Sequence, residues 1–240
     1  MPFELRSPVR LDELDRLDGR PETVQFSSAL TEADYALLGA WFADQPTKSL
    51  RAYGSYDGTL ADLEFLRHFP TLRSFQADAL FHSLTNIDGL AYLPDDAHFI
   101  GLGRTKKRLS LAPLARFTKL RRLYLEGQSK EIEVVSDLRD LQSITLRSIT
   151  LPDLALLTPL SDLRALDLKL GGTKNLALLP ELQSLEYLEL WMVKGLSDLS
   201  PVAELPNLEY LFLQALRHVE SLPEMSKLVS LRRLWLETMK

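Results

Sequence analysis

The stretch LSDLSPVAELPNLEYLFL, residues Leu196–Leu213, decides the fold, because it holds both parts of a unit that recurs along the chain. Its last six residues, Leu208–Leu213, carry leucine at the first, fourth and sixth positions, and we expect these leucines to point inward. The residues between them face solvent, as in a short half-buried strand. The residues before them place apolar side chains about three apart and include two prolines, which suits a 3₁₀ or short helical return.

The pattern LxxLxL recurs at a nearly constant spacing. Nine copies follow one another at 21–25 residues, and 54 of the 240 residues are leucine. The copies begin at Leu50, Leu72, Ala97, Leu120, Leu141, Leu163, Leu185, Leu208 and Leu231. One such unit cannot bury its own apolar face, so we predict that stacked units share a continuous core. That core would include a column of buried leucines: Leu123, Leu146, Leu166, Leu188, Leu211 and Leu234.

These copies resemble the leucine-rich repeat family, specifically its short bacterial type with about 22 residues per repeat. The resemblance covers Leu50 to Leu236. It implies an α/β fold: a right-handed solenoid with a parallel sheet on the concave side and short 3₁₀ or helical returns on the convex side. The family usually carries Asn at the ninth repeat position. Here that position holds Gly58, Leu80, Thr105, Gln128, Ile149, Gly171, Val193, Leu216 and Met239. We therefore expect the backbone at the strand ends to find other partners.

Residues 1–49 depart from the repeat and are predicted to form an N-terminal cap, a strand plus a helix, packed on the solenoid of residues 50–240. Val24 and Phe26 alternate as in a strand, and Thr31 is placed to cap a helix. An apolar stripe follows the cap: Tyr35, Leu38, Trp41 and Phe42. A catalytic domain is disfavoured in this segment, because about 45 residues make a marginal independent core.

Composition and motifs argue against an enzyme. The absence of cysteine excludes disulfides, thiolate metal sites and a cysteine nucleophile. The histidines, at positions 68, 82, 98 and 218, lack metal-ligand spacing, and neither G-x-S-x-G nor S-x-x-K occurs. The segment Gly101–Arg108 does not meet the requirements of a phosphate loop. We predict no metal, no cofactor and no further catalytic domain.

The charged start and the lack of an 18-residue apolar run predict a cytoplasmic protein without membrane contact.

Charge is unevenly distributed along a chain of formal net charge −5. Gly101–Leu125 carries eight basic residues and no acid, whereas Glu181–Tyr210 carries six acids and one lysine. A basic stretch can contact phosphates, yet the acidic chain contains no known nucleic-acid module, so nucleic acid is disfavoured as a partner. The alternative interpretation of both the basic and the acidic stretch is an ordinary solvent-exposed surface that contains salt bridges.

The outward strand positions, three, five and seven of each copy, contain the candidate site. In the last three copies, five of the nine outward residues are aromatic. Such side chains dominate interface hot spots. The predicted partner-binding residues are Tyr187, Glu189, Trp191, Tyr210, Phe212, Arg233, Trp235 and Glu237. Cover by the protein's own termini, or the strand preference of aromatics, is the alternative. In the first copy the same phase places Ala52, Gly54 and Tyr56 outward.

The pattern therefore predicts a non-catalytic protein-binding scaffold that uses its concave, C-terminal aromatic and acidic face. One alternative is an immunity or inhibitor protein that holds a basic toxin or nuclease-type enzyme, since opposite charge speeds encounter. An enzyme-recruiting effector and a structural assembly protein are further alternatives.

The last strand, Leu231–Leu236, presents an open edge that could pair with a second copy, but we favour a monomer.

Overall fold

The computed structural model describes residues 2–16, 22–54 and 56–239. Within these residues the chain forms two α-helices, α1 (Leu11–Asp15) and α2 (Glu32–Ala43). It also forms eleven strands: β1 (Phe3–Glu4), β2 (Thr23–Phe26), β3 (Ser49–Tyr53), β4 (Ser74–Asp78), β5 (Phe99–Leu102), β6 (Arg122–Glu126), β7 (Ser143–Arg147), β8 (Ala165–Lys169), β9 (Tyr187–Trp191), β10 (Tyr210–Gln214) and β11 (Arg233–Glu237). Short 3₁₀ helices occupy returns between strands: Glu64–His68, Asp88–Tyr92, Ala112–Arg116, Ile132–Asp137, Leu179–Glu181 and Ser200–Glu204.

The chain divides into two compact units. Unit 1 comprises Met1–Leu120 and Gln128–Glu131, and unit 2 comprises Arg121–Gly127 and Ile132–Lys240. In unit 1, β1 to β5 pair in parallel and in chain order. In unit 2, β6 to β11 do the same. The strands and the 3₁₀ returns are those of a leucine-rich repeat solenoid, as the repeat pattern predicted.

The N-terminal segment contains the predicted strand and helix. The Thr31 hydroxyl accepts a hydrogen bond from the backbone N–H of Asp34 at 3.2 Å, which caps α2. Strand β2 pairs with β3, so that Val24 lies opposite Leu50. Sequence analysis missed β1 and α1, because two and five residues are too short to show a period. The division into a cap of residues 1–49 and a solenoid of residues 50–240 stays a prediction, and Lys240 lies outside the described residues.

The buried column exists, with two corrections. Leu188 lies level with Leu166 and Leu211, and all three are fully buried. Leu146 was wrongly placed in this column: Ile144 occupies that position, because the residue at the fourth place of the repeat is isoleucine. Leu234 has the predicted register but is 39% exposed, because the described chain gives β11 a neighbour on one side only.

The first copy was phased three residues too late. Leu50 lies opposite Phe75, a fourth-position residue, so the copy begins at Thr47. Its outward residues are Ser49, Arg51 and Tyr53, while Ala52 is fully buried. The outward assignment of Ala52, Gly54 and Tyr56 was therefore wrong. Leucine occupies both the first and the fourth position of the repeat, so Leu50 by itself fits either phase. The ninth position moves from Gly58 to Ser55, outside the described residues.

The strand ends share a left-handed turn at the eighth repeat position. Eight of the nine copies have a positive φ there: Gly54, Ala79, Gly127, Ser148, Leu170, Met192, Ala215 and Thr238. At the ninth position, Gln128 supplies partners for the backbone. Its Oε1 accepts from the Leu109 N–H at 2.9 Å, and its Nε2 donates to the Gly103 carbonyl at 2.9 Å. One glutamine thus satisfies buried backbone groups, as expected in the absence of an asparagine ladder.

Candidate functional site

The candidate site lies on the outward face of the sheet in unit 2, where the side chains point away from the leucine core. The parallel register arranges them in three rows that run across β6 to β11. Row one is Arg122, Ser143, Ala165, Tyr187, Tyr210 and Arg233. Row two is Tyr124, Thr145, Asp167, Glu189, Phe212 and Trp235. Row three is Glu126, Arg147, Lys169, Trp191, Gln214 and Glu237.

All eight predicted site residues lie together on the outward side of β9, β10 and β11, which we call the aromatic face. Glu189, Phe212 and Trp235 are directly aligned. The rings of Phe212 and Trp235 have centroids 6.3 Å apart, and the Arg233 guanidinium carbon lies 5.7 Å from the Trp235 ring centroid. The eight side chains therefore share one surface, and their contact with a partner stays a prediction.

The aromatic face is neither core nor fully exposed surface. Tyr187, Trp191, Tyr210 and Phe212 are half-buried, and Trp235 is 45% exposed. The intervening residues Leu188, Leu190, Leu211 and Leu213 are fully buried and already form the core. The aromatic rings thus add apolar surface beyond what the fold itself requires, and such patches mark contact surfaces.

An ion network at β8 and β9 borders the aromatic face. The Lys169 ammonium lies 3.1 Å from the Asp167 carboxylate and 2.8 Å from the Glu189 carboxylate. The Tyr187 hydroxyl donates to Glu189 at 3.0 Å, and the Thr145 hydroxyl donates to Asp167 at 3.0 Å. Sequence analysis missed Asp167 and Lys169 as partners of Glu189. Their outward positions in the preceding copy were the available signal.

The two carboxylates of this network differ in acidity. Burial, followed by the hydrogen bond with Glu189, raises the pKa of Asp167 to about 6. Burial also acts to raise the pKa of Glu189, but the hydrogen bonds from Asp167 and Lys169 outweigh it, so that this pKa is lowered. A proton therefore resides on Asp167 at mildly acidic pH and bridges the pair.

A second cluster orients Trp191. The Arg147 guanidinium carbon lies 5.3 Å from the Trp191 ring centroid, and its Nε lies 3.1 Å from the Glu126 carboxylate. Tyr124 donates to the same carboxylate at 3.3 Å. The indole of Trp191 is thus held by a cation–π contact, which reduces the side-chain freedom it would lose on binding.

The outward face of unit 2 is electrically balanced rather than acidic. Its three rows carry four basic and four acidic side chains: Arg122, Arg147, Lys169 and Arg233, and Glu126, Asp167, Glu189 and Glu237. Of the six acids singled out in Glu181–Tyr210, only Glu189 lies in these rows. Three others form ion pairs outside the rows: Glu186 with Arg164, Glu204 with Lys227, and Glu209 with Arg232. The arrangement matches salt-bridged surface more closely than an acidic patch.

The outward side of β1 to β4 in unit 1, which we call the polar face, differs. Arg51 donates Nε and one terminal N–H to the two Asp78 oxygens at 2.8 and 2.7 Å. It also donates to the Gln25 amide oxygen at 3.2 Å, and the Gln25 amide donates to Glu4 at 2.8 Å. Gln76 donates to Asp78 at 2.8 Å. These side chains bind one another across four strands.

The described ranges show neither a side-chain cluster suited to a metal ion nor a helix suited to span a membrane. They contain no group of three or more His, Asp or Glu side chains placed to hold a metal ion. None of the helices they form has the length and apolar character needed to cross a membrane.

Sequence comparisons return no match: no family model and no curated protein matches this chain. Solved structures do resemble it. An internalin (InlF) of Listeria monocytogenes aligns with a TM-score of 0.58 and 16% identity, over 90% of this chain and 66% of that one. A leucine-rich repeat protein of Leptospira interrogans aligns with a TM-score of 0.53 and 18% identity, over 90% and 59%.

TLR13, in a structure of its complex with ssRNA13, aligns with a TM-score of 0.53 and 16% identity, over 99% of this chain and 43% of that one. The chain thus spans less than two thirds of the length of each of these proteins. At such identities the likeness shows the fold, and the fold is that of leucine-rich repeat proteins.

Proposed function

We propose that this protein is a non-catalytic scaffold that binds another protein through the aromatic face. The observation that supports this proposal is the density of aromatic side chains there, with five of nine outward residues on three adjacent strands. Tyrosine and tryptophan supply large contact area at low entropic cost and dominate interface energetics. Because the core is complete without them, recognition is the function that best accounts for their position.

The geometry fits the centre of an interface better than a whole one. A stable protein–protein contact buries about 800 Å² on each partner, which is more than three short strands offer. Trp191 and Trp235 lie at opposite sides of this face, on β9 and β11, and Trp191 is the last residue of β9, next to a strand-end loop. We infer that the aromatic face supplies the central anchors and that neighbouring strand-end loops form the rim.

The balanced charge bears on the choice of partner. An immunity or inhibitor protein that holds a basic enzyme would gain from a net negative contact surface. The aromatic face has an excess of a single negative charge, from Glu189 and Glu237 against Arg233, and the wider rows of unit 2 are balanced. We therefore do not adopt the basic-partner version of the proposal. Cytoplasmic location and the monomeric state stay predictions.

The test compares two triple alanine variants matched in aromatic loss. W191A/Y210A/W235A removes three rings from the aromatic face, and Y53A/Y56A/F99A removes three from unit 1. In affinity capture from a lysate of the source cells, we expect the first variant to lose a partner that the wild type and the second variant retain. A loss of roughly 10⁴-fold in affinity is expected if each of the three rings contributes about 2 kcal/mol, since about 1.4 kcal/mol is a tenfold change.

The control is thermal unfolding, because both variants must remain folded for the comparison to hold. Equal capture by the two variants, or capture that depends only on unit 1, would contradict the proposal.

A further inference from the structure

A cavity of about 390 Å³ opens at the carboxyl-terminal ends of β8, β9 and β10, next to the aromatic face. Its apolar walls are Leu170, Met192, Val193 and Ala215, and its polar residues are Lys194, Arg217 and His218. We call it the basic cavity. Its volume lies in the range of sites that hold a small ligand or a short peptide segment, about 300–1,000 Å³.

The repeat itself builds this cavity. Leu170, Met192 and Ala215 are eighth-position residues with φ of 58°, 50° and 52°, so each strand ends in the same left-handed turn. Stacking three such turns brings their side chains to one edge of the sheet. The Lys194 N–H donates to the Gly171 carbonyl at 2.7 Å, which fixes the loop that carries this lysine. The cavity is thus formed by ordered backbone.

The charge at the basic cavity is uncompensated. In the part of the chain that the structure describes, the side chains of Lys194, Arg217 and His218 make no hydrogen bond or ion pair, and no carboxylate lines the cavity. Five other cations of unit 2 have carboxylate partners: Arg147, Arg164, Lys169, Lys227 and Arg232. Unpaired cations beside apolar walls favour a ligand that combines a negative charge with an apolar group.

We propose that the basic cavity binds an acidic peptide segment of the protein partner, with a carboxylate at Lys194 and Arg217 and a neighbouring apolar side chain between Leu170, Met192 and Ala215. Trp191, a residue of the aromatic face, directly precedes Met192, a residue of the cavity wall, so a bound segment could extend from one to the other. The apolar walls favour a side chain of this kind over a bare inorganic anion. This inference rests on the proposed function, because it names one feature of the bound protein.

Peptide titration followed by backbone amide NMR tests the inference without the natural partner. The probe is the acetylated, amidated tetrapeptide Leu-Glu-Leu-Glu, and the matched peptides carry Gln or Lys in place of Glu. We expect the Glu peptide to shift the amide signals of Lys194, Arg217 and His218, and to bind at least tenfold more tightly than the Gln peptide. Binding should weaken as salt is raised.

The variants separate a specific site from general attraction. K194Q/R217Q should weaken the Glu peptide at least tenfold, whereas K227Q/R232Q, which removes the same charge from paired residues, should leave it unchanged. Equal binding of the Glu and Gln peptides, an unchanged affinity in K194Q/R217Q, or equally tight binding of inorganic phosphate would overturn the inference. Those outcomes leave the triple-variant capture experiment unaffected, so failure here is distinguishable from failure of the proposed function.

Discussion

The polar face of unit 1 and the aromatic face of unit 2 lie on strands of the same kind but differ in what their side chains bind. On the polar face, Arg51, Asp78 and Gln25 satisfy one another. On the aromatic face, five rings are half-buried or exposed, and the arginines that contact Trp191 and Trp235 do not bury these two rings. The difference shows that the repeat dictates the inward residues and leaves the outward ones free to vary.

The two faces also differ in what a partner would have to displace. A ligand on the polar face must compete with a hydrogen-bonded network whose partners would be left unsatisfied, which is costly. On the aromatic face the hydrogen-bonded residues are Tyr187 and Glu189, on the side next to β8. A ligand that covers Phe212 and Trp235 leaves that network in place and covers apolar surface. This contrast is the physical basis for placing recognition in unit 2.

The largest expected effect concerns the core, in which the two units should not differ. Leu50 in β3 and Leu188 in β9 are both fully buried. L50A and L188A should each lower the free energy of unfolding by about 2–5 kcal/mol, through lost burial and the cavity left behind. L234A should cost clearly less, because Leu234 is 39% exposed. Urea unfolding measures all three, and a costly L234A together with a harmless L188A would refute the assigned register.

The second prediction concerns two arginines with unlike surroundings. Arg51 binds Asp78 through two hydrogen bonds, and both side chains are largely buried. Arg233 lies on the exposed strand β11 over Trp235. R51A should lower the free energy of unfolding by about 2 kcal/mol, because the Asp78 carboxylate loses its charged partner. R233A should change the free energy of unfolding by no more than about 0.5 kcal/mol. Similar losses in urea unfolding would mean that the polar face is not a stabilising network.

The inward residues could be predicted from sequence because leucine at fixed spacing has one physical explanation. The outward ones could be placed for the same reason, so the members of the aromatic face were all identified. The phase of the first copy was misjudged, since Leu50 fits both the first and the fourth position of the repeat. The Lys169 network and the basic cavity were missed because they depend on neighbours about 22 residues away and on turns whose φ the sequence does not display.

The third prediction uses the raised pKa of Asp167, which has no counterpart on the polar face. Between its ordinary value of 3.8 and about 6, the folded protein holds a proton that the unfolded chain has lost. The contribution of this group to stability therefore falls as the pH rises through that window. D167N keeps a donor toward Glu189 at every pH. As the pH rises from 4 to 7, the free energy of unfolding of D167N should therefore increase by about 1–2 kcal/mol relative to that of the wild type.

Unfolding in urea at several pH values measures that difference, with D162N as a control that removes an exposed carboxylate outside the network. A difference between D167N and the wild type that does not vary with pH would show that Asp167 is an ordinary surface acid.

The smallest effect concerns the strand-end turn that both units share. Gly54 in unit 1 and Gly127 in unit 2 occupy the eighth repeat position with φ of 59° and 68°. A side chain is disfavoured in this region, so G54A and G127A should each destabilise by about 1 kcal/mol. Thermal unfolding would check this. A marked difference between the two would show that the turn is not equivalent in the two units.

Site-specific photo-cross-linking tests the central claim, that the aromatic face is the contact surface, most directly. A benzophenone amino acid would replace Phe212 at the centre of the aromatic face or Gln76 on the polar face, both in row-two positions of their strands. Irradiation in source lysate should attach one defined protein to the chain substituted at position 212 and none to the chain substituted at position 76. Attachment of the same protein at position 76, with none at 212, would contradict the account.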